Sequence, residues 1–495
     1  MSRVLNIWRS WDAWQRGAAV AAVLLAAGVA VFAVTVALRR PADVSHPHAK
    51  FAPKREVKHV KATNWPEYGL DSERTRYLPS SKVHPPYGKR DWSFLAPSLL
   101  EFSPIYDRGH LYVIDKNATI YSLQAHNGGH VDWKRDLGTL SASSPAYHRG
   151  TVFGVTLSPG GVTAMRSSDG KVLWHHGLPG RSESSPLVHG GRVYVGCESG
   201  DVFAYDEKTG KLDWSFHSGG AVKGGVAEDH GGIFFGNYAG QVFALDASTG
   251  KVHWQAETQG GGFLRGGGIY STPAIAYGRV YFGGLDGRVY SYEESSGRLV
   301  WSQSTGAEVY PAPAVASVPG SPPSVFVGSQ DHHFYAMNAR TGAIRWEKNL
   351  GGVVLGAASV IGRDVYVAVI GPNVGTYGFR VDDGKKQFYS DYGEYNPAIS
   401  DGKHLFLTGT NSILQLPPRK PHIPKGKRKK AKKHAAHTKA GGKHKGGGKH
   451  KGGGGQHNAK PKHGQAHKGG GKHKGGGQKK HAGHKKKQKQ GGKKS

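Results

Sequence analysis

The sequence predicts an all-β fold: an eight-bladed β-propeller of four-stranded antiparallel blades, preceded by one transmembrane helix and followed by a disordered basic tail. Three observations support this prediction: a tryptophan that recurs every 40–47 residues, an uncharged apolar stretch, and a Lys/Gly/His-rich end. We divide the chain into a short N-terminal segment 1–16, a helix 17–38, a linker 39–62, a propeller 63–418 and a tail 419–495.

The repeat is marked by a phrase of the form G-K-x-x-W or a variant of it, which ends at Trp133, Trp174, Trp214, Trp254, Trp301 and Trp346. Trp92 lies 41 residues before the first of these, and Phe388 takes the equivalent place 42 residues after the last. A period of this length indicates a repeat architecture. Each unit holds four short runs rich in Val, Tyr, Phe or Trp between Gly-containing turns, which predicts a four-stranded meander, the blade of a propeller.

Two further positions of the repeat have structural roles. A small residue precedes the end of each third strand and leaves room for an indole: Ser122, Ala164, Ala204, Ala244, Ser291, Ala336 and Gly378. A glycine in the following turn is expected to supply a positive φ: Gly170, Gly210, Gly250, Gly297, Gly342 and Gly384. The tryptophans and glycines are therefore interpreted as scaffold, not as ligand-binding residues.

The blade count depends on how the ring closes. Seven continuous units run from Ser103 to about Tyr395, and the remnant after them has only three strands. We predict that the run KRDWSFL around Trp92 supplies the missing strand, because closure by both ends of the propeller leaves no free edge. The alternative is a seven-bladed ring with an added hairpin.

Phrases such as YVGCESGDVFAYDEKTGKLDW resemble the repeat of pyrroloquinoline-quinone (PQQ) type propellers, and NWPEYGLDSERTR (64–76) resembles the lead-in of such domains. The resemblance covers roughly residues 63–418. It implies an extracytoplasmic propeller in a family that includes quinoprotein dehydrogenases, cofactor-free BamB-like scaffolds and sensor domains.

The resemblance also implies what a dehydrogenase would need: a disulfide between adjacent cysteines above the quinone, and a Ca²⁺ cage with a catalytic Asp. Cys197 is the one cysteine of the chain, so that disulfide cannot form, and no such acidic cluster can be aligned. We therefore predict no catalytic, cofactor-binding or metal-binding residues and no cofactor.

The basic charge of the chain, +32 in total, is concentrated at its end. Residues 419–495 contain 27 Lys and Arg and no acidic residue, whereas residues 63–418 hold 30 basic and 32 acidic side chains. A segment with dense like charge and almost no apolar residues is expected to be disordered and to bind polyanions. Its partners are predicted to be anionic lipid or cell-wall polymer. No specific nucleic-acid binding is predicted, because the tail has no aromatic residues.

Residues 17–38 carry no charge and are long enough to cross a bilayer, and Trp8, Trp11 and Trp14 precede them as interfacial aromatics do. We predict an uncleaved signal anchor with the propeller extracytoplasmic; a cleaved signal peptide is the alternative. Arginines flank both sides of the stretch, so the orientation follows from the resemblance and not from charge. The linker, Pro-containing and polar, is expected to act as a stalk.

Residues at the start of each innermost strand are expected to line the axial funnel, where charged groups and tyrosines could bind a small polar ligand or peptide. These residues are Glu101, Arg181, Glu183, Lys223, Tyr270, Glu308, Tyr310, Glu394 and Tyr395. The insertion at 258–270 breaks the repeat and offers Phe263, Leu264 and Arg265 as a partner-contact loop.

Taken together, these features predict a membrane-anchored, non-catalytic binding or scaffold module that holds a protein or peptide partner. Two alternatives remain open: a quinone-dependent dehydrogenase, which PQQ binding would reveal, and an extracytoplasmic ligand sensor, whose output would require a separate chain.

Overall fold

The computed structural model describes residues 12–38, 41–52, 64–80, 82–260 and 267–418. One helix, α1 (Ala13–Leu38), precedes the β-structure and begins four residues earlier than the predicted span. Its stretch Ala13–Phe32 is long and apolar enough to cross a membrane and is not buried against the rest of the chain. A signal sequence near the N-terminus would meet the same criteria, so the length and composition of the helix fit both a membrane anchor and a signal segment.

Eight β-sheets follow, each forming one blade. The strands, in chain order, are β1 (Val44–Ser45), β2 (Tyr77–Leu78), β3 (Trp92–Leu95), β4 (Ile105–Asp107), β5 (His110–Ile114), β6 (Thr119–Gln124), β7 (Val131–Asp136), β8 (Ala146–His148), β9 (Thr151–Leu157), β10 (Gly160–Arg166), β11 (Val172–Gly177), β12 (Leu187–His189), β13 (Arg192–Gly196), β14 (Asp201–Asp206), β15 (Leu212–His217), β16 (Ala227–Asp229), β17 (Gly232–Gly236), β18 (Gln241–Asp246), β19 (Val252–Glu257), β20 (Ala274–Ala276), β21 (Arg279–Gly284), β22 (Arg288–Glu293), β23 (Leu299–Ser304), β24 (Ala314–Ala316), β25 (Ser324–Gly328), β26 (His333–Asn338), β27 (Ile344–Asn349), β28 (Ser359–Ile361), β29 (Asp364–Val369), β30 (Gly375–Arg380), β31 (Lys386–Ser390), β32 (Ile399–Ser400), β33 (Leu405–Thr408) and β34 (Ser412–Leu416).

Blades 1 to 7 are consecutive antiparallel meanders, from β4–β7 to β28–β31, and blade 8 combines β32, β33 and β34 with β3. In blade 8 Trp92 pairs with Gln415, so the strand around Trp92 closes the ring and the predicted eight blades are confirmed. The seven-bladed alternative is wrong.

The small residue of each third strand lies opposite the aromatic residue of the fourth strand, as in the pairs Ala204–Trp214 and Ala244–Trp254. Each indole then reaches the next blade. Trp174 donates its Nε1–H to the carbonyl oxygen of Glu207 at 3.0 Å, and the equivalent bonds run from Trp92, Trp133, Trp214, Trp254, Trp301 and Trp346. The tryptophan repeat is therefore the contact that joins one blade to its neighbour.

The turn glycine of the next blade lies under the indole. Gly210 has a φ of +70°, and a Cβ placed on it would lie 2.6 Å from the Trp174 ring. Only glycine meets both requirements, since a side chain here would be strained and would overlap the ring. The predicted positive φ is confirmed at all six turn glycines.

Part of the segment assigned to the linker packs on the propeller. β1 pairs with β23, which makes blade 5 a five-stranded sheet, and Arg288 forms a 2.6 Å ion pair with Asp43. Farther along, the Phe51 ring stacks on Tyr277 with centroids 5.0 Å apart. Residues 41–52 are thus held against blade 5 by strand pairing, charge and aromatic contact, none of which a free stalk would make.

Candidate functional site in the axial channel

The lead-in segment 64–78 follows the innermost strands around the axis. Its backbone hydrogen-bonds in chain order to six of them, at Tyr106, Tyr147, Glu228, Ile275, Val315 and Val360 of blades 1, 2, 4, 5, 6 and 7. The segment then ends in β2, which runs parallel to β28 in blade 7. We call residues 64–78 the axial segment. It lies inside the channel, farther along the axis than the end at which the innermost strands begin.

Arg74 connects the axial segment to blade 3, which with blade 8 is missing from that series. Its guanidinium group is fully buried and donates to the carbonyl oxygens of Val226 at 3.0 Å and Pro186 at 3.0 Å, and also to that of Tyr68. Glu67 lies 3.6 Å away and balances the charge. Burial lowers the pKa of Arg74, and the neighbouring Glu67 and Asp71 oppose that shift, so the buried pair holds the segment in place.

Above the axial segment lies a cavity of about 240 Å³ at the end of the channel where the innermost strands start. Tyr68 of the axial segment lines it, with the Arg76 guanidinium 4.7 Å from the centre of its ring. The other large side chains of the lining, most of them aromatic or acidic, are Glu101, Phe102, Glu183, Lys223, Tyr270, Tyr310, Leu355, Tyr395 and Asn396, and the rest of the lining consists of small Ser, Thr, Gly, Ala and Pro residues. We call this cavity the axial pocket.

A polar network fixes the charged groups of one wall. Lys223 donates to Glu183 at 2.9 Å and forms an ion pair of 3.1 Å with Glu198. The Tyr270 hydroxyl donates to the other carboxylate oxygen of Glu183 at 2.8 Å, and Lys223 also lies 5.4 Å from the Tyr238 ring centre. The one lysine in the pocket lining is therefore shared by two carboxylates and a ring face.

The pKa shifts reflect burial and this network. Burial raises the pKa of Glu101, and Glu183 adds to the rise while Lys116 partly offsets it. Burial would also raise the pKa of Glu183, but the hydrogen bonds from Lys223 and Tyr270 outweigh it and the pKa falls. Burial likewise opposes the charge of Lys223, yet its carboxylate partners raise its pKa. Glu183 and Lys223 thus remain an ion pair, and of the two carboxylates in the pocket lining Glu101 is the more readily protonated.

Six of the nine predicted funnel residues line the axial pocket: Glu101, Glu183, Lys223, Tyr270, Tyr310 and Tyr395. Arg181 does not line it; its side chain is 59% exposed and lies 4.0 Å from Glu198. Glu308 and Glu394 are half-buried and also lie outside the lining. The proposed contact loop, Phe263, Leu264 and Arg265, falls in 261–266, outside the described residues.

Sequence reasoning missed the axial segment and Glu198. Glu198 lies in the turn between β13 and β14, and in an antiparallel meander that turn shares an end of the blade with the start of the innermost strand. From this arrangement of the strands, the turn that carries Glu198 could have been predicted to lie near the pocket. Tyr68 carried no repeat signal, because the axial segment occurs once.

Among the residues that the structure describes, the axial pocket lacks the groups that PQQ, the quinone of the dehydrogenases that the sequence resembles, would need. PQQ is a polyanion and needs cationic partners, but Lys223 is already bound by Glu183 and Glu198. Within the described residues, the groups of His, Cys, Asp or Glu spaced to hold a metal ion lie elsewhere, at His126–Asp401–His404 and Asp229–His230–Glu294. Cys197 is a single free, buried thiol. These residues do not fit the quinone with its metal ion and disulfide.

Fold and site together define an eight-bladed propeller whose axis is crossed by its own lead-in segment and carries an aromatic, acidic pocket. The family model described as outer membrane protein assembly factor BamB matches residues 81–217 and 204–419. The chain belongs to this family of PQQ-like propellers.

Solved structures share the fold at low sequence identity. BamB from Moraxella catarrhalis superposes with a TM-score of 0.57 at 17% identity, over 66% of this chain and 99% of that one. The quinohemoprotein alcohol dehydrogenase of Pseudomonas putida HK5 gives 0.61 at 14% identity, over 73% and 82%. A europium-containing methanol dehydrogenase gives 0.60 at 14%, over 72% and 98%. No curated protein matches the sequence.

Proposed function

We propose that this protein is a non-catalytic binding and scaffold module, anchored in the cell membrane by α1 with its propeller extracytoplasmic. The axial pocket receives a segment of a protein or peptide partner, and the basic tail binds anionic lipid or cell-wall polymer. The description of the matched family as an assembly factor supports partner binding, and the apolar helix α1 supports membrane attachment.

The proposal rests mainly on one observation, that the positive charge of Lys223 is neutralised by its neighbours. With its charge taken up by Glu183 and Glu198, the pocket lining has carboxylates in excess over cations. Glu101 contributes a further carboxylate, and Tyr68, Phe102, Tyr270, Tyr310 and Tyr395 contribute ring faces and hydroxyls. Carboxylates combined with aromatic faces favour a cationic group, such as a lysine or arginine side chain of a partner.

The volume supports a side chain and not a large ligand. A cavity of about 240 Å³ is smaller than the roughly 300–1,000 Å³ typical of small-molecule sites. Leu355, which is 36% exposed in the lining, gives the pocket an apolar edge on which a bound peptide could continue. The pocket therefore suits one inserted residue of a peptide that extends over the propeller face.

Titration with a matched pair of peptides tests the proposal. The full-length protein is titrated calorimetrically with acetylated trilysine amide and with its uncharged triglutamine counterpart, which carries no charge that the basic tail could attract. We expect saturable binding of the lysine peptide alone, and a loss of about tenfold in affinity in Glu101→Gln, because removing one charge-assisted contact costs about 1.4 kcal/mol or more.

Glu308→Gln is the control, because it removes the same charge from a predicted funnel residue that does not line the pocket. It is expected to bind like the wild type. Equal losses in both variants, or equal affinity for the two peptides, would show that the pocket is not the binding site.

A further inference from the structure

The seam that closes the propeller brings two histidines and an aspartate together. His126 lies in the turn between β6 and β7 of blade 1, and Asp401 and His404 lie in the turn between β32 and β33 of blade 8. Their potential ligand atoms all lie within 4.8 Å of one another. Blade 8 is the blade built from strands of both ends of the propeller, so this cluster bridges the point of ring closure.

The carboxylate of Asp401 is held in a fixed orientation. Its Oδ1 accepts the backbone N–H groups of Lys403 at 2.8 Å and of His404 at 2.6 Å. Its Oδ2 lies 2.7 Å from Nδ1 of His404 and 3.6 Å from Nε2 of His126. One carboxylate oxygen therefore faces both imidazoles, while the other is tied to the turn.

We propose that His126, Asp401 and His404 bind a divalent transition-metal ion of the Zn²⁺ class, a site that the sequence analysis did not predict. Two imidazoles and one carboxylate form a donor set that suits such ions. Ligand atoms at about 2.0–2.1 Å from Zn²⁺ in a tetrahedron lie ~3.3 Å apart. The 3.6 Å separation is close to this value, and the 2.7 Å separation must open by roughly half an ångström.

The surroundings of the cluster provide a competing contact as well as access. The Tyr106 hydroxyl lies 3.1 Å from Nε2 of His126, the nitrogen that faces Asp401, and accepts the N–H of Gly109, so an ion bound to this nitrogen must displace the Tyr106 contact. The side chains of Asp401 and His404 are 4% and 10% exposed, whereas that of His126 is 47% exposed. The exposed imidazole gives an ion a route from solvent and leaves a coordination position for water.

One nearby charge acts against the ion. The ammonium group of Lys403 is close enough to His126 to disfavour a positive charge there. The single carboxylate of Asp401 must therefore offset both Lys403 and part of the charge of the ion. We expect a site of moderate affinity that links blade 1 to blade 8 and stabilises the closed ring, because an ion that binds only the folded state shifts the unfolding equilibrium.

Thermal unfolding of the full-length protein with and without Zn²⁺ tests the site. Residues 419–495 contain 11 histidines that are present in every variant, so differences between variants report on the propeller. At free Zn²⁺ of about 100 times Kd, we expect the wild-type Tm to rise by roughly 3–5 °C, and EDTA to reverse the rise. The rise should disappear in His126→Gln and in His404→Gln.

The control is His230→Gln in the Asp229–His230–Glu294 group, where the His230 side chain is 82% exposed. It should retain the wild-type rise. If His404→Gln fails to fold, the half-exposed His126 still gives a soluble test variant, and the visible absorption of bound Co²⁺ should weaken in it relative to His230→Gln. No rise in the wild type, or an equal rise in all variants, would overturn the proposal.

Discussion

The outer ring and the axis of this propeller are stabilised in different ways. Between blades the same contact recurs: an indole donates to the next blade and covers its turn glycine, as Trp174 does over Gly210. Along the axis the backbone bonds to the axial segment recur, but among the described residues the side-chain contacts of Arg74, Glu67 and Lys223 each occur at one place only. The repeated contacts build the scaffold, and the unrepeated ones give the axis the individual chemistry on which the proposed partner binding depends.

The largest expected effect lies at the axis. Arg74→Met removes a buried cation from several carbonyl oxygens and leaves Glu67 buried without its partner. We expect the free energy of unfolding to fall by about 3–5 kcal/mol, measured by urea denaturation. Adding Glu67→Gln should restore part of the loss, and a loss below about 1 kcal/mol would mean that the axial segment does not support the ring.

In the outer ring, Gly210→Ala can be compared with Gly190→Ala. Both glycines have positive φ, +70° and +59°, so both variants carry the same kind of backbone strain. A Cβ at Gly210 meets the Trp174 ring, whereas one at Gly190 has no atom within 4 Å. We expect Gly210→Ala to lose about 1–3 kcal/mol more in urea unfolding. Equal losses of unfolding free energy in the two variants would show that the contact between the indole and the glycine does not contribute to stability.

A pH titration of peptide binding tests the role of the pocket independently of the contacts that stabilise the ring. Burial raises the pKa of Glu101, so as the pH is lowered this carboxyl is protonated before an exposed one. Protonation removes a negative charge from the pocket, and affinity for the lysine peptide should fall several-fold by calorimetry. Glu101→Gln should show a flatter profile, and an unchanged slope in that variant would assign the pH dependence to another group.

The smallest expected effect on stability comes from the tail. In a variant that begins after α1, at residue 41, deleting residues 419–495 should leave the Tm of the propeller unchanged, while binding to anionic vesicles should be largely lost. With the tail present, binding of this variant should fall steeply between low and physiological salt, since charges are screened over about 8–10 Å there. Vesicle binding that survives the deletion or resists salt would place the contact on residues 41–418.

The regular part of the structure could be predicted because it repeats. The 40–47-residue spacing of the tryptophans gave the eight blades, the pairing of Trp92 with the last blade and the conformation of glycines such as Gly210. The axial segment, the strand Val44–Ser45 on blade 5 and the His126–Asp401–His404 cluster could not be predicted. Each is formed by residues that are far apart in the sequence and that come together at one place in the fold, so no sequence repeat indicates it.

The proposal of an axial binding site, as opposed to a quinone centre, is tested most directly by a titration with PQQ in the presence of Ca²⁺. The purified protein without the basic residues 419–495, which are proposed to bind polyanions, is titrated, and binding is followed by tryptophan fluorescence and by alcohol- or sugar-dependent dye reduction. Because Lys223 is neutralised by Glu183 and Glu198, we predict no saturable binding and no turnover. Micromolar affinity with turnover would contradict this account and make the protein a dehydrogenase.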